Sequence, residues 1–318
     1  MPNASNRNLA GMPSMPKSRV LPPSSPLLGV FAVLLAASLW GTTGTIQGLL
    51  PEGRDPIAVA VYRIGIGIGS LALLLFCAFS PSSRAGFKHL PRRLVVSAGL
   101  AIGLYNLFFF SAVSLAGVGV GTAIAIGSGP IWVSLFEVVF RHMRPSRAQL
   151  LGQAICIIGA IALVASNDSS AVGWVGYLLA ALAGMAYAWY SITTNRVSET
   201  IPSGTTAAAT FTVAAVLTAP FLLLADSSWV VASTVPPLLF LGIFSTGIAF
   251  YLFTFGVRKM TSSSAVTLSL AEPLTAWLLA TFVLREEPSG LKILGALALL
   301  IGLWIVARSL PRRDFPPR

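Results

Sequence analysis

A chain of 318 residues that is 55% hydrophobic and only 10% charged, against about 25% charged in ordinary soluble domains, is excluded from the soluble globular class; its mean hydropathy of +0.81 is that of a polytopic membrane protein. The net charge of +11 would suit a polyanionic partner, but its distribution, described below, argues against nucleic acid. The two cysteines, Cys77 and Cys156, offer neither a metal spacing nor a disulfide, and without a phosphate-binding loop ATP is not the direct energy source.

The first 26 residues are rich in Pro, Ser and Asn and read as a disordered tail without the pattern of a secretory signal. Ten apolar stretches long enough to cross a bilayer follow, near 27 to 49, 56 to 79, 93 to 111, 118 to 140, 148 to 166, 173 to 194, 204 to 225, 236 to 257, 262 to 284 and 290 to 307. The first contains Trp40 about half way along. The second contains Arg63, seven residues or ~10 Å from its outer end, where it snorkels, pairs structurally or holds a substrate carboxylate. Tyr105 and Asn106 lie in the third. The fourth repeats small residues every four positions at Gly117, Gly121, Ala125 and Gly129, a smooth face for close helix contact, and "GIGIG" at 65 to 69 suggests the same use. Pro130 follows that face, then Trp132, and Glu137 stands beside the arginine-rich "RHMR", where an interfacial salt bridge is expected. Tyr187, Trp189 and Tyr190 sit deep in the sixth span. The ninth carries Glu272, Pro273 and Trp277. A carboxylate at that depth costs roughly 2 to 3 kcal/mol even on lenient scales, and proline removes a helix hydrogen bond.

The basic residues fall on alternate links. Arg7, Lys17 and Arg19, then Arg84, Lys88, Arg92 and Arg93, then Arg141, Arg144 and Arg147, then Arg196, then Arg258 and Lys259, then Arg308, Arg312, Arg313 and Arg318 all lie on one side if ten spans are threaded in order. Arg54, Arg285 and Lys292 remain on the other. Positive residues mark the cytoplasmic face, so both termini are expected in the cytoplasm and the charge reports topology.

An offset of 143 lays Pro130 on Pro273, Pro145 on Pro288, Gly152 on Gly295 and Gly159 on Gly302, and an offset of 147 lays "GVFAVLLAASLW" on "GYLLAALAGMAY". The chain therefore reads as two five-helix copies, at 27–167 and 168–310, with a short cytoplasmic tail at 311–318. Five is odd, so the second copy is inverted. Inverted repeats surround a midplane site reached alternately from each face.

"SLWGTTG", the arginine of "VYRIG", and the run from "SSSAVTLSLAEPLTAW" to the end of the tenth span resemble the ten-helix drug/metabolite transporter superfamily and its EamA module. Within it the chain is most similar to exporters of aromatic amino acids of the YddG type. The resemblance covers nearly all of residues 27 to 308. It departs from the family in the first copy, where Gly129-Pro130 stands for the usual Glu-Pro and Met143 for a later Glu.

The expected class is thus an all-α membrane protein of ten transmembrane helices in two inverted repeats. An enzyme is disfavoured, because Asp55, Asp168, Asp226, Asp314, His89 and His142 all fall at span ends, loops or tails; a channel lacks its filter. The resemblance implies export of amino acids, aromatic and other apolar ones, across the inner membrane, with a broader exporter of aromatic or cationic compounds as the alternative. The substrate candidates are Trp40, Tyr187, Trp189, Tyr190, Trp132, Trp277, Tyr105, Asn106, Arg63 and Glu272. The hinge candidates are Pro130, Pro273 and Gly129. Trp40 and Tyr187 are favoured as equivalents under the offset of 147. Proline is expected to leave the Ser269 carbonyl free, with Glu272 either donating to it or, ionised, meeting a substrate ammonium group or a proton. No cofactor and no metal are expected; whether protons are coupled, and the oligomeric state, stay open.

Overall fold

Apolar surroundings force every backbone N–H and C=O to be satisfied within the chain, and all regular structure among the described residues is helical. The computed structural model describes residues 26–69, 81–164, 174–283, 285, 287 and 289–310. The expected tails over 1–25 and 311–318, the second half of the second span with Cys77, and Asp168 lie outside them.

The helices are α1 (Pro26–Gly41), α2 (Thr43–Gln47), α3 (Pro56–Gly69), α4 (Pro81–Lys88), α5 (Arg92–Ala116), α6 (Val118–Arg141), α7 (Arg147–Val164), α8 (Trp174–Ser198) and α9 (Ser203–Thr218). After a 3₁₀ turn at Ala219–Leu223 come α10 (Val235–Gly242), a π-turn at Ile243–Ile248, α11 (Ala249–Val257), α12 (Ser262–Leu268), α13 (Ala271–Phe282) and α14 (Gly290–Arg308). Nine segments among the described residues are long and apolar enough to cross a membrane, and Pro56–Ile66 adds a shorter apolar helix where the second span was expected. The amphipathic α4 was not anticipated.

Several boundaries follow from local chemistry. Asp55 caps α3 by accepting the N–H groups of Ile57 at 2.7 Å and Ala58 at 3.0 Å, and Pro56 fills the first helical position, where no N–H is needed. The span beginning at Pro26 breaks at Thr42, between α1 and α2. The ninth breaks at Ser269–Leu270, just before Glu272 and Pro273. Pro130, by contrast, stands inside the uninterrupted α6.

Glycines set the tight crossings. A Cβ built on Gly152 of α7 would lie 3.1 Å from the Gly302 carbonyl oxygen of α14, and one on Gly295 of α14 would lie 3.0 Å from that of Gly159 on α7. The two contacts exchange under the offset of 143. Likewise α1 packs on α13 through Gly41, while α8 packs on α6 through Gly184, the position equivalent to Ala37, one turn before Gly41. The small-residue face of α6 is divided: Gly117 is the turn before the helix, with φ of 78°, Gly121 packs on Val113 of α5, and Gly129 approaches Tyr187 and Val266. The "GIGIG" expectation fails at Gly65, which is exposed and would bring a Cβ within 4 Å of no described residue.

Candidate functional site

A cavity of about 630 Å³ opens between α1, α2, α3, α5, α6, α7, α8, α11, α13 and α14, within the usual range for small-molecule sites. Its aromatic wall is Trp40, Tyr105, Phe109, Tyr187, Phe250 and Trp277. The Trp40 ring meets Tyr187 edge-on with centroids 6.0 Å apart and Phe250 at 4.8 Å, and Tyr105 lies 5.4 Å from Tyr187. Such pairs add roughly 0.5–1.5 kcal/mol beyond area burial and hold each ring in one orientation. The lining runs on through Thr43, Gln47 and Thr122 to Leu49, Arg54 and Lys292, where the chain leaves the bundle. Partial burial pulls the Arg54 guanidinium down from its ordinary value and leaves it cationic at neutral pH.

Both breaks border the cavity. Gly41 lies at the first, and Ser269, Glu272 and Pro273 at the second. Tyr187 of α8 reaches the second break by donating its hydroxyl to Ser269 Oγ at 3.3 Å, while Ser269 Oγ donates to the Val266 carbonyl at 2.8 Å. The expected free carbonyl is not free. With no N–H from Pro273, the Ser269 oxygen accepts that of Glu272 at 3.0 Å, because the chain tightens to a three-residue step at the break. The Glu272 carboxyl therefore has no orphan acceptor there to donate to, and it takes no hydrogen bond from any described residue while lining the cavity.

Arg63 is buried, 4% exposed, so it does not snorkel. Its Nε donates to Thr246 Oγ1 at 2.7 Å and its Nη2 to the Ser245 carbonyl at 2.8 Å, and Phe110 stacks below it at 5.7 Å. The π-turn makes this possible. Ala249 N–H reaches five residues back to Phe244, so it does not take the Ser245 oxygen, which an ordinary α-turn would have given it.

The structure thus brings Trp40, Tyr105, Tyr187, Trp277, Arg63, Glu272 and Pro273 to one cavity. It places other candidates elsewhere. Tyr190 is fully buried against Phe211 and Phe250, one turn deeper than Tyr187. Trp189 donates to Ser97 Oγ at 2.8 Å and packs on Phe136 and Phe140. Trp132 lies on Phe136, and the buried Asn106 donates to the Ile102 carbonyl of its own helix at 2.8 Å. Residues the sequence did not single out are Thr43, Gln47, Thr122 and the Ser245–Thr246 pair. Their one signal is polarity inside apolar runs.

The opposite end of the bundle is shut. Glu137, expected in an interfacial ion pair, is 2% exposed and accepts the N–H of Ser263 at 3.2 Å. Gln149 donates to Ser263 Oγ at 2.6 Å, Ser134 Oγ lies 3.2 Å from the same oxygen, and Ser134 donates to Gln153 Oε1 at 3.1 Å. Beside them Arg141 reaches Asn195 Oδ1 at 2.7 Å and Glu199 at 3.1 Å.

The EamA-like transporter family matches the chain twice, over residues 27–165 and again over 174–308. The uncharacterized transporter YwfM of Bacillus subtilis is 34% identical over 89% of this chain and 94% of its own length. The aromatic amino acid exporter YddG of Ancylobacter novellus is 28% identical over 91% of this chain and 99% of its own. A solved crystal structure, 24% identical, superposes with a TM-score of 0.73 over 88% of this chain and 96% of its own, which speaks for the fold alone.

Proposed function

The chain belongs to the EamA-like transporter family, a multi-pass protein of the bacterial inner membrane and not an enzyme, and from that premise we propose that it exports amino acids, aromatic and other apolar ones, by alternating access. In this reading ten helices form two inverted repeats, 27–167 and 168–310, with both termini in the cytoplasm. The repeat is supported by the doubled family match and by contacts that exchange between the copies: Gly152 on Gly302 against Gly295 on Gly159. The cavity reaches the face of Arg54 and Lys292, the outer one by the charge asymmetry, so the arrangement is outward-open and sealed around Ser263 toward the cytoplasm.

The observation that carries the substrate is the composition of the cavity: an aromatic wall beside two ionisable side chains of opposite sign, the buried Arg63 and the half-buried Glu272. Aromatic faces supply apolar contact, and a small zwitterion carries one charge to match each of the two side chains. The name of YddG, whose relation to this chain spans nearly its whole length, points the same way. Counterflow in proteoliposomes loaded with labelled amino acids, and in parallel with a quaternary amine, tests it. Exchange of phenylalanine or leucine is expected. Exchange of the amine alone would instead favour the broader reading, an exporter of cations recognised by the same rings.

A further inference from the structure

A formal charge inside a membrane bundle is costly enough that its partners are informative. The basic one here is held without an acid. Arg63 is bonded to a carbonyl and a hydroxyl of the π-turn, both neutral, and no carboxylate lies within ion-pair distance of it among the described residues. The acidic side chain, Glu272, receives no hydrogen bond from a described residue. Both line the same cavity, close enough for their charges to interact. Its floor therefore carries a guanidinium that is bonded to the protein through two of its N–H groups and turns to neutral acceptors for both, and a carboxyl group that no described residue bonds. At the mouth the charged residues in the lining, among the described residues, are Arg54 and Lys292, both basic.

Each ligand charge type meets this arrangement differently. A monocation gains Glu272 but must pass the two basic groups of the mouth and sit beside Arg63. A monoanion is drawn in by the mouth and gains Arg63 but faces Glu272. A zwitterion with its charges a few ångströms apart places each end on the opposite sign and leaves neither side chain uncompensated. We infer that the cavity reads both charges of an α-amino acid at once, Glu272 taking the ammonium and Arg63 the carboxylate, and that Thr246 and Ser245 are positioning residues which hold the guanidinium for this task. The inference rests on the amino acid reading above and goes beyond it in assigning the charge selection and the role of the π-turn.

The test is competition in counterflow by purified protein in liposomes. A labelled amino acid that exchanges (phenylalanine, leucine or threonine) is challenged with itself, its decarboxylated amine and its deaminated acid. The wild-type protein is expected to discriminate against both analogues at least ten-fold, about 1.4 kcal/mol each. Glu272→Gln should weaken the amino acid and narrow its lead over the acid analogue; Thr246→Val should raise KM for the amino acid several-fold and narrow its lead over the amine. A purely structural loss would instead lower all three together. An amine or acid that competes as well as the amino acid in the wild-type protein, or rankings left unchanged in both variants, overturns the charge assignment while leaving amino acid transport standing. Exchange of no amino acid in the panel overturns both readings.

Discussion

Gly41 packs so closely on Glu272 that a Cβ at position 41 would lie 2.7 Å from the Glu272 carbonyl oxygen and 2.6 Å from Thr275 Cβ. The atoms in the way are backbone and a β-branched stem, which do not yield by a change of rotamer. Gly41→Ala should therefore force α1 away from α13, at a cost of about 1–3 kcal/mol, and distort the cavity floor. Gly65→Ala provides the contrast, since open space there makes it neutral or slightly stabilising through helix propensity. Thermal stability in detergent, followed by size-exclusion chromatography, should fall for the first variant and hold for the second; equal behaviour would mean the α1–α13 crossing is looser than drawn.

Trp40 and Tyr187 wall the cavity and touch each other. Alanine at either position should reduce transport of phenylalanine, since truncating such a ring removes apolar contact worth up to a few kcal/mol, while the protein still reaches the membrane. Because the rings brace one another, the double variant should lose less than the sum of the two single losses. Transport at the parental rate by both single variants would show that substrate sits elsewhere in the cavity.

The ends of the spans and the floor of the cavity were legible in the sequence for one reason: features that membranes penalise stand out against an apolar run. Glu272-Pro273 and Arg63 are of that kind, and Trp40 and Tyr187 emerged from repeat arithmetic. The π-turn was not legible. Ile243–Ile248 reads as ordinary span, and its purpose appears only when Arg63, 183 positions away, is seen to use Thr246. Tyr190 shares a helical face with Tyr187 but lies a turn beyond the floor, a depth that spacing alone does not reveal. The inward turn of Glu137 was not legible either, because proximity to arginines in sequence says nothing of which way a helix turns its side chains; α6 turns this one onto the start of α12.

Asp55 links two connections on the cavity side. Besides capping α3, its second oxygen accepts the N–H of Asp226 at 3.1 Å. Asp55→Ala should cost about 1 kcal/mol for the cap, whereas Asp55→Asn, which keeps an acceptor, should recover most of it. A melting temperature unchanged by the alanine would mean the cap contributes nothing to the folded bundle.

The topology is tested at Lys259 and Glu52. In a background with Cys77→Ser and Cys156→Ser, a cysteine replacing Glu52 should react with an impermeant maleimide on intact cells, and one replacing Lys259 only after the membrane is opened. The reverse pattern would invert the threading and turn the cavity toward the cytoplasm.

The seal opposite the cavity is polar, and that determines how it can be released. Ser263, in the first turn of α12, collects Glu137 on its N–H and Gln149 and Ser134 on its hydroxyl, so α6 and α7 are fastened to α12 by hydrogen bonds that water can replace. Each contributes about 0.5–1.5 kcal/mol net, small enough to exchange during a transport cycle and large enough together to hold one face shut. Ser263→Ala removes the hydroxyl contacts and spares the Glu137 bond; Gln149→Leu removes one of them and leaves the serine in place. Losing about 2 kcal/mol from the sealed state would raise the population of the opposite state roughly 30-fold. A reporter cysteine at Ser191, fully buried on α8, should then become reactive from the cytoplasmic side in Ser263→Ala, less so in Gln149→Leu, while a cysteine at Thr43 in the cavity becomes less reactive from outside. If the reporter at position 191 stays protected in both variants, the Ser263 cluster is ordinary packing and the closing of that face depends on something else.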